Sequence, residues 1–412
     1  MKLIGASAVI TCDDNFSVIK DGGILFDENK IIKIGKFNEL KKMQYIDVRF
    51  YESCVITPSL INTHIHFEFS QNTSSLNYGN FGEWLDSVIL KRESLMKDSS
   101  DAIKTALKET LSCGVGSVGA ISSNGLDLEI LNQSPLKVLF FNEIIGTNKE
   151  YNEKIMNDFN ERLEKSLLLT SPNFKSGIAL HSPYSLNFEL ASYAIKKAME
   201  HKLLVSTHFL ESKEELMWLE YKKGYFKKFF KRFFNDENAL PYYSKESFLR
   251  LFKNCESLFV HCLFLNNDDW ATISKLNVDI VSCPRSNRLL NNRYFDFLKA
   301  KDYRLPLIIA TDGKSSNNNL NILDEARVAL FAYEQFNINN LAKEILLSIT
   351  RRPAKRLRFN NGFLEKGRAS DFAIFYIKDI ENCSQVILNF LLHAKKVEDL
   401  YINGKRIDIE NY

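Results

Sequence analysis

Several features that would settle the class of this chain at once are missing. No Cys-x-x-Cys pair occurs among the seven cysteines, Cys12, Cys54, Cys113, Cys255, Cys262, Cys283 and Cys383. Odd in number and mostly set in apolar contexts, they read as reduced core thiols of a cytosolic protein rather than a disulfide framework. Long apolar runs are missing too. The stretch LIGASAVI near the N-terminus is too short for a signal core and runs into Cys12-Asp13-Asp14, so neither a membrane span nor an export signal is expected. Charge of one sign is also scarce: 54 Lys and Arg against 51 Asp and Glu leave +3, too little to argue for a nucleic-acid partner. At 412 residues, 45 % apolar and 25 % charged, the chain can form one large soluble domain with a small accessory one.

What is present is concentrated. Five of the 7 histidines lie within or at the ends of short apolar runs that read as buried strands. They are His64 and His66 in VITPSLINTHIHF, His181 in IALHSPYS, His208 in LLVSTHFLES and His261 in LFVHCLFL; LPLIIATDG ends on Asp312 instead. Between about residues 54 and 350, eight such strands alternate with amphipathic stretches such as DAIKTALKETLSC and ELASYAIKKAMEHK. That alternation predicts a (β/α)8 barrel over 57–355. An open doubly wound sheet would usually bind a nucleotide through a glycine-rich first turn, and no such nucleotide turn is expected here. Both termini are β-rich, with turns at Asp27–Lys30 and Asn403-Gly404. They predict a small β-sandwich built from 1–56 and 356–412.

Residues at the carboxyl ends of parallel barrel strands converge on one point. His64 and His66, two apart, leave the same strand face, and His208 and Asp312 complete a set of three nitrogens and one oxygen. Such a set predicts one Zn2+ per chain, with Fe2+ or Mn2+ as alternatives and one coordination position open.

The ordered motifs PSLINTHIHF, LHSPYS, THFLES, VHC, CPRSN, TDGKSSNNNL and GFLEKGRASDFAIF span residues 57 to 375. Together they resemble the amidohydrolase superfamily, in particular its deaminases of adenosyl-homocysteine, guanine and aminodeoxyfutalosine. Binuclear barrels of this kind commonly bridge two metals with a lysine on the fourth strand. Here that strand ends in Leu180-His181-Ser182-Pro183, which again implies one metal. The resemblance implies a cytoplasmic enzyme that removes ammonia from an adenine-type nucleoside. Aminodeoxyfutalosine of the futalosine route to menaquinone is the first expectation; adenosyl-homocysteine, methylthioadenosine, guanine or another C–N or C–Cl substrate stays open. A barrel scaffold without catalysis is the remote alternative. Self-association into a homodimer stays open.

By the same resemblance Glu211, three residues past His208, would carry protons, and His261 would hold the attacking water. Asp312 would accept a proton as well as bind metal. His181, Glu83 in FGEWL and Glu211 would contact substrate. For an anionic substrate group the basic candidates are Arg285, Arg288 and the Lys227, Lys228 and Arg232 of WLEYKKGYFKKFFKRFF (218–234), read as a loop helix, a subunit contact or a cap. Ser286 and Asn287 would shape the seventh loop.

Overall fold

In the computed structural model, residues 1–71 and 74–412 are described, and two sheets organise them. Eight parallel strands form the larger: β1 (Leu60–Ile65), β2 (Val115–Ser122), β3 (Lys137–Ile144), β4 (Phe174–Leu180), β5 (Val205–Phe209), β6 (Ser257–His261), β7 (Val278–Ser282) and β8 (Leu307–Ile309). They are hydrogen-bonded in sequence order. Every strand but β4 is buried throughout, which is why each reads as a continuous apolar run rather than an alternating one. Helices such as Ser99–Ser112 and Phe188–His201 connect them and cover the outside. Between β8 and β1 the gap is closed by side chain and loop: Asn62 Nδ2 donates to Thr311 Oγ1 at 2.7 Å, and Asp312 N donates to the His64 carbonyl at 3.0 Å. The barrel therefore closes at its carboxyl rim.

The run Gly114-Val115-Gly116-Ser117-Val118-Gly119 has the spacing of a dinucleotide loop, yet all but its first residue is β2 strand. A Cβ at Gly119 would stand 2.2 Å from the Thr63 carbonyl oxygen. Its glycine admits the neighbouring strand rather than a pyrophosphate.

The second sheet has seven strands and takes them from both termini. Lys2–Ile10 lies between antiparallel Val18–Phe26 and parallel Asp47–Pro58, and Phe372–Tyr376 joins the far side of Asp47–Pro58. One face of the sheet forms a cluster of its own around Ile4, Val9, Phe26, Ile56 and Phe372, while Ala8, Ile10, Val55, Ala373 and Phe375 face the barrel's core. Asn403 and Gly404 have φ of 50° and 70°, as the two-residue turn between Asp399–Ile402 and Lys405–Arg406 requires. Among the described residues no helix is long and apolar enough to cross a membrane.

Candidate metal centre and active-site cavity

His64 lies in β1, His66 just past it, His208 in β5 and Asp312 just past β8. Their side chains meet. His64 Nε2 lies 3.2 Å from His66 Nε2 and 3.2 Å from His208 Nε2. Asp312 Oδ1 is 3.4 Å from His66 Nε2 and 3.6 Å from His64 Nε2. Ligands ~2.0–2.2 Å from a tetrahedral zinc stand roughly 3.3–3.5 Å apart, so these separations fit the shell of a single ion.

Protonation agrees with that fit. The His208 Nδ1–H donates to the His181 carbonyl at 2.7 Å and leaves Nε2 as a lone-pair donor. Burial first, then the neighbouring imidazoles, pushes His66 down to about 3 and His208 well below its ordinary value. Burial works against ionising Asp312, but His64, His66 and His261 hold its carboxyl well below the usual range. Neutral imidazoles around a carboxylate are the form that binds a cation. The Ser286 and Ser316 hydroxyls donate to Asp312 Oδ2 at 2.9 and 2.7 Å. Asp312 and His261 sit at φ of 63° and 71°, left-handed conformations that cost of order 1–3 kcal/mol each and mark over-determined sites.

Beside this set are Glu211, expected to carry protons, and His261, expected to hold the attacking water. Asn287 Oδ1 accepts from His261 Nδ1–H at 2.8 Å, so His261 Nε2 is the unprotonated nitrogen, and it has no hydrogen-bond partner. It lies 3.7 Å from Glu211 Oε1 and 3.9 Å from Asp312 Oδ2. Burial is the main reason His261 is pushed down to about 4. Glu211 is buried, and its carboxyl is raised well above the usual range, first by burial and then by Asp312 and Glu215. Glu215 fixes the turn that carries it, accepting from the Leu210 and Glu211 amides at 3.0 Å each. Ser286 and Asn287 thus do more than shape a loop: they orient Asp312 and His261.

A cavity of about 570 Å3 opens over the centre, lined by His66, His181, His208, Glu211, His261 and Asp312 at its base. The ring of His181 is held by Ser185 Oγ, 2.6 Å from Nδ1. Burial, and then Arg92, pushes His181 down to about 4. The outer wall is apolar: Trp84, Leu85, Val88 and Ile89 from helix Phe81–Met96 face Phe229, Phe230 and Phe234 from helix Tyr225–Phe234.

Several expected contacts do not reach this cavity. Arg285 is 9 % exposed, and its guanidinium is consumed by Glu325 at 2.7 Å, by the Asn318 and Asn319 side chains at 2.7 and 2.8 Å and by the Asn319 and Asn321 carbonyls at 3.3 and 3.2 Å, so it has no donor left for substrate. Glu83 is exposed at the start of helix Phe81–Met96, where Asn80 caps its amide, and is not among the lining residues. Lys227, Lys228 and Arg288 are exposed and outside the lining, and Arg232 pairs with Asp86 at 2.8 Å. The cap reading of 218–234 holds in altered form: the helix offers its phenylalanines to the cavity and its lysines to solvent.

The cations that do line the cavity are Arg92 and Lys154. Neither forms a salt bridge among the described residues. No sequence motif marked them, because each sits on the exposed face of an ordinary helix. Glu143 was legible in principle, as the one acidic residue inside the apolar run KVLFFNEII. Glu143, His181 and His208 form a further cluster with ligand atoms within 4.8 Å. His208 has one nitrogen committed to the His181 carbonyl and the other turned to His64, so a second ion would lack it as a ligand.

Comparison with known proteins bears on the whole chain. The Amidohydrolase family matches residues 55–407. An adenosine deaminase of Helicobacter pylori is 37 % identical over 410 residues, 98 % of this chain and 99 % of its own length. An aminodeoxyfutalosine deaminase of Nitratiruptor sp. is 37 % identical over 408 residues, again 98 % and 99 %. The crystal structure of Helicobacter pylori aminofutalosine deaminase in complex with methylthio-coformycin superposes with a TM-score of 0.93 at 37 % identity, covering 99 % of this chain and 100 % of that one. A zinc-bound adenosine deaminase from Xanthomonas campestris, 19 % identical with a TM-score of 0.81 over 98 % and 92 % of the two chains, shares the fold. Metal-ligand geometry, barrel and sequence agree: the chain belongs to the amidohydrolase family.

Proposed function

We propose that this protein is a metal-dependent deaminase of an adenine-type nucleoside, with 6-amino-6-deoxyfutalosine of the futalosine route to menaquinone as its substrate. The observation that carries the reading is the meeting of three imidazole nitrogens and Asp312 beside Glu211 and His261 at the base of one cavity. We assign His64, His66, His208 and Asp312 to a single divalent cation, zinc first. When bound, that cation supplies Lewis acidity, which makes hydroxide available near neutral pH.

The chain's own groups do the rest. His261 Nε2, kept unprotonated by Asn287, accepts a hydrogen bond from the attacking water. Glu211, whose neutral form is favoured by burial, protonates the ring nitrogen next to the reacting carbon. As the water oxygen bonds to carbon, one of its protons replaces the one Glu211 gave to the ring and the other passes through Asp312 and Glu211 to the amino group; the carbon–nitrogen bond breaks and ammonia leaves. Expelling water from the cavity strengthens each of these interactions.

Beyond the base, the apolar wall and its Arg92 and Lys154 suit a substrate with an apolar arm ending in an anion. The benzoate of aminodeoxyfutalosine has that form, and of the two 37 % identical relatives one is an aminodeoxyfutalosine deaminase and the other an adenosine deaminase. Methylthioadenosine and adenosyl-homocysteine are the second reading, favoured by the methylthio-coformycin bound to the Helicobacter pylori enzyme. All seven cysteines are free thiols, which supports a reducing cytoplasmic setting.

Ammonia release from metal-loaded protein tests the proposal. Aminodeoxyfutalosine should turn over faster than adenosine or guanine. Guanine turnover equal to or above it would overturn the assignment.

A further inference from the structure

One carboxylate in the cavity has no part in the chemistry above. Glu143, next to last in β3, is 2 % exposed and lines the cavity. Its Oε2 accepts from the Ser123 hydroxyl, while Oε1 has no hydrogen-bond partner. The nearest cation does not claim it: Arg162 spends its guanidinium on the Ser122 and Glu143 carbonyls at 3.2 and 2.8 Å. A Glu143 oxygen and ring nitrogens of His181 and His208 lie within 4.8 Å of one another. The group thus stands beside the metal centre, on the wall formed by β3 and β4, whereas Glu211 follows β5 and His261 ends β6. Glu143 lines the cavity with one carboxyl oxygen buried and unpaired, and such a group calls for a donor.

The chemistry of the ligand says which donor. Once glycosylated, an adenine-type base presents only acceptors at its ring nitrogens, and its amino group must lie at the reacting carbon. The donors that remain are the sugar hydroxyls. We propose that the Glu143 carboxyl group accepts a hydrogen bond from a ribose hydroxyl, with the His181 ring beside it, so that Glu143 rather than Glu83 reads the sugar. This rests on the nucleoside reading of the site. Ser123 holds the carboxylate in place through its other oxygen, and Glu83 remains a helix-start residue facing solvent.

The test compares kcat/KM of the metal-loaded wild type, Glu143→Gln and Glu143→Ala on 6-amino-6-deoxyfutalosine and on its 2′-deoxy and 3′-deoxy counterparts. The wild type should prefer the full riboside to at least one deoxy form by roughly tenfold to a hundredfold, as for a buried acceptor left without its donor. Glu143→Ala should erase that preference while metal content stays at the wild-type level, and Glu143→Gln, which keeps an acceptor oxygen, should retain part of it. Equal turnover of riboside and deoxy forms by the wild type overturns this inference alone and needs no variant to fold. So does a preference that survives intact in Glu143→Ala, or a uniform loss on every substrate. Turnover of free bases but of no riboside overturns both this inference and the proposed function.

Discussion

At the scale of the residue, each group at the centre has a second partner that fixes what the first can do. The His181 carbonyl sets the His208 tautomer, Asn287 sets that of His261, and Ser286 and Ser316 aim Asp312. Replacing Glu211 by Gln keeps the shape and removes the proton. We expect the rate to fall by a factor of ~10² or more with metal retained, read by ammonia release beside metal analysis; unchanged turnover would remove Glu211 from the mechanism. Removing Ser316 as Ser316→Ala should instead weaken metal affinity by about 10- to 100-fold, as outer partners of metal ligands do, measured by competition with a chelator. Arg285 makes a contrasting case. Arg285→Met leaves Glu325 buried at 0 % exposure without its cation, which should cost about 3–5 kcal/mol of stability. Denaturant unfolding would show the loss, and KM should be unchanged because the guanidinium does not face the cavity.

At the scale of the element, helix Tyr225–Phe234 is the piece whose sequence and placement are most instructive. Its lysines are prominent in the sequence, and they suggest a cationic lid. Amphipathicity decides otherwise: burying Phe226, Phe229 and Phe230 gains more than any exposed charge, so the aromatic stripe turns inward and the lysines outward. Tyr225 Oη–H and Arg232 both donate to Asp86, at 2.6 and 2.8 Å, and tie the helix to Phe81–Met96 across the cavity mouth. Phe230→Ala should therefore raise KM for an aryl-bearing nucleoside by about tenfold, in line with the loss of one buried ring, with a smaller effect for adenosine. A KM unchanged from wild type in Phe230→Ala would show that the stripe is packing for the helix alone.

At the scale of the whole molecule, what the sequence made legible follows from what the fold requires locally. Strands buried on both faces must be continuously apolar, so a histidine or aspartate ending such a run stands out, and His64, His66, His208, His261 and Asp312 could all be located that way. Asn403-Gly404 was readable because both residues must take positive φ. Pairings across the chain left no such local trace. Arg285 looks like any loop arginine until Glu325, 40 residues on, is brought to it. Arg92 and Lys154 are surface residues of two helices until the barrel turns both toward one opening. Glu215, among several glutamates, is a brace only because the turn after β5 presents its amides.

The barrel also closes where the metal set forms, since Asp312 N bonds the His64 carbonyl. Metal binding and barrel integrity are thus linked, and a metal at 100 times its Kd should stabilise the fold by about 2.7 kcal/mol, seen as a melting temperature that falls on chelation. The most direct test of the account is the metal content of purified wild type beside His208→Ala. Close to one zinc, iron or manganese ion per wild-type chain is expected, and almost none in the variant. Two ions per wild-type chain, none at all, or full retention in the variant would contradict it.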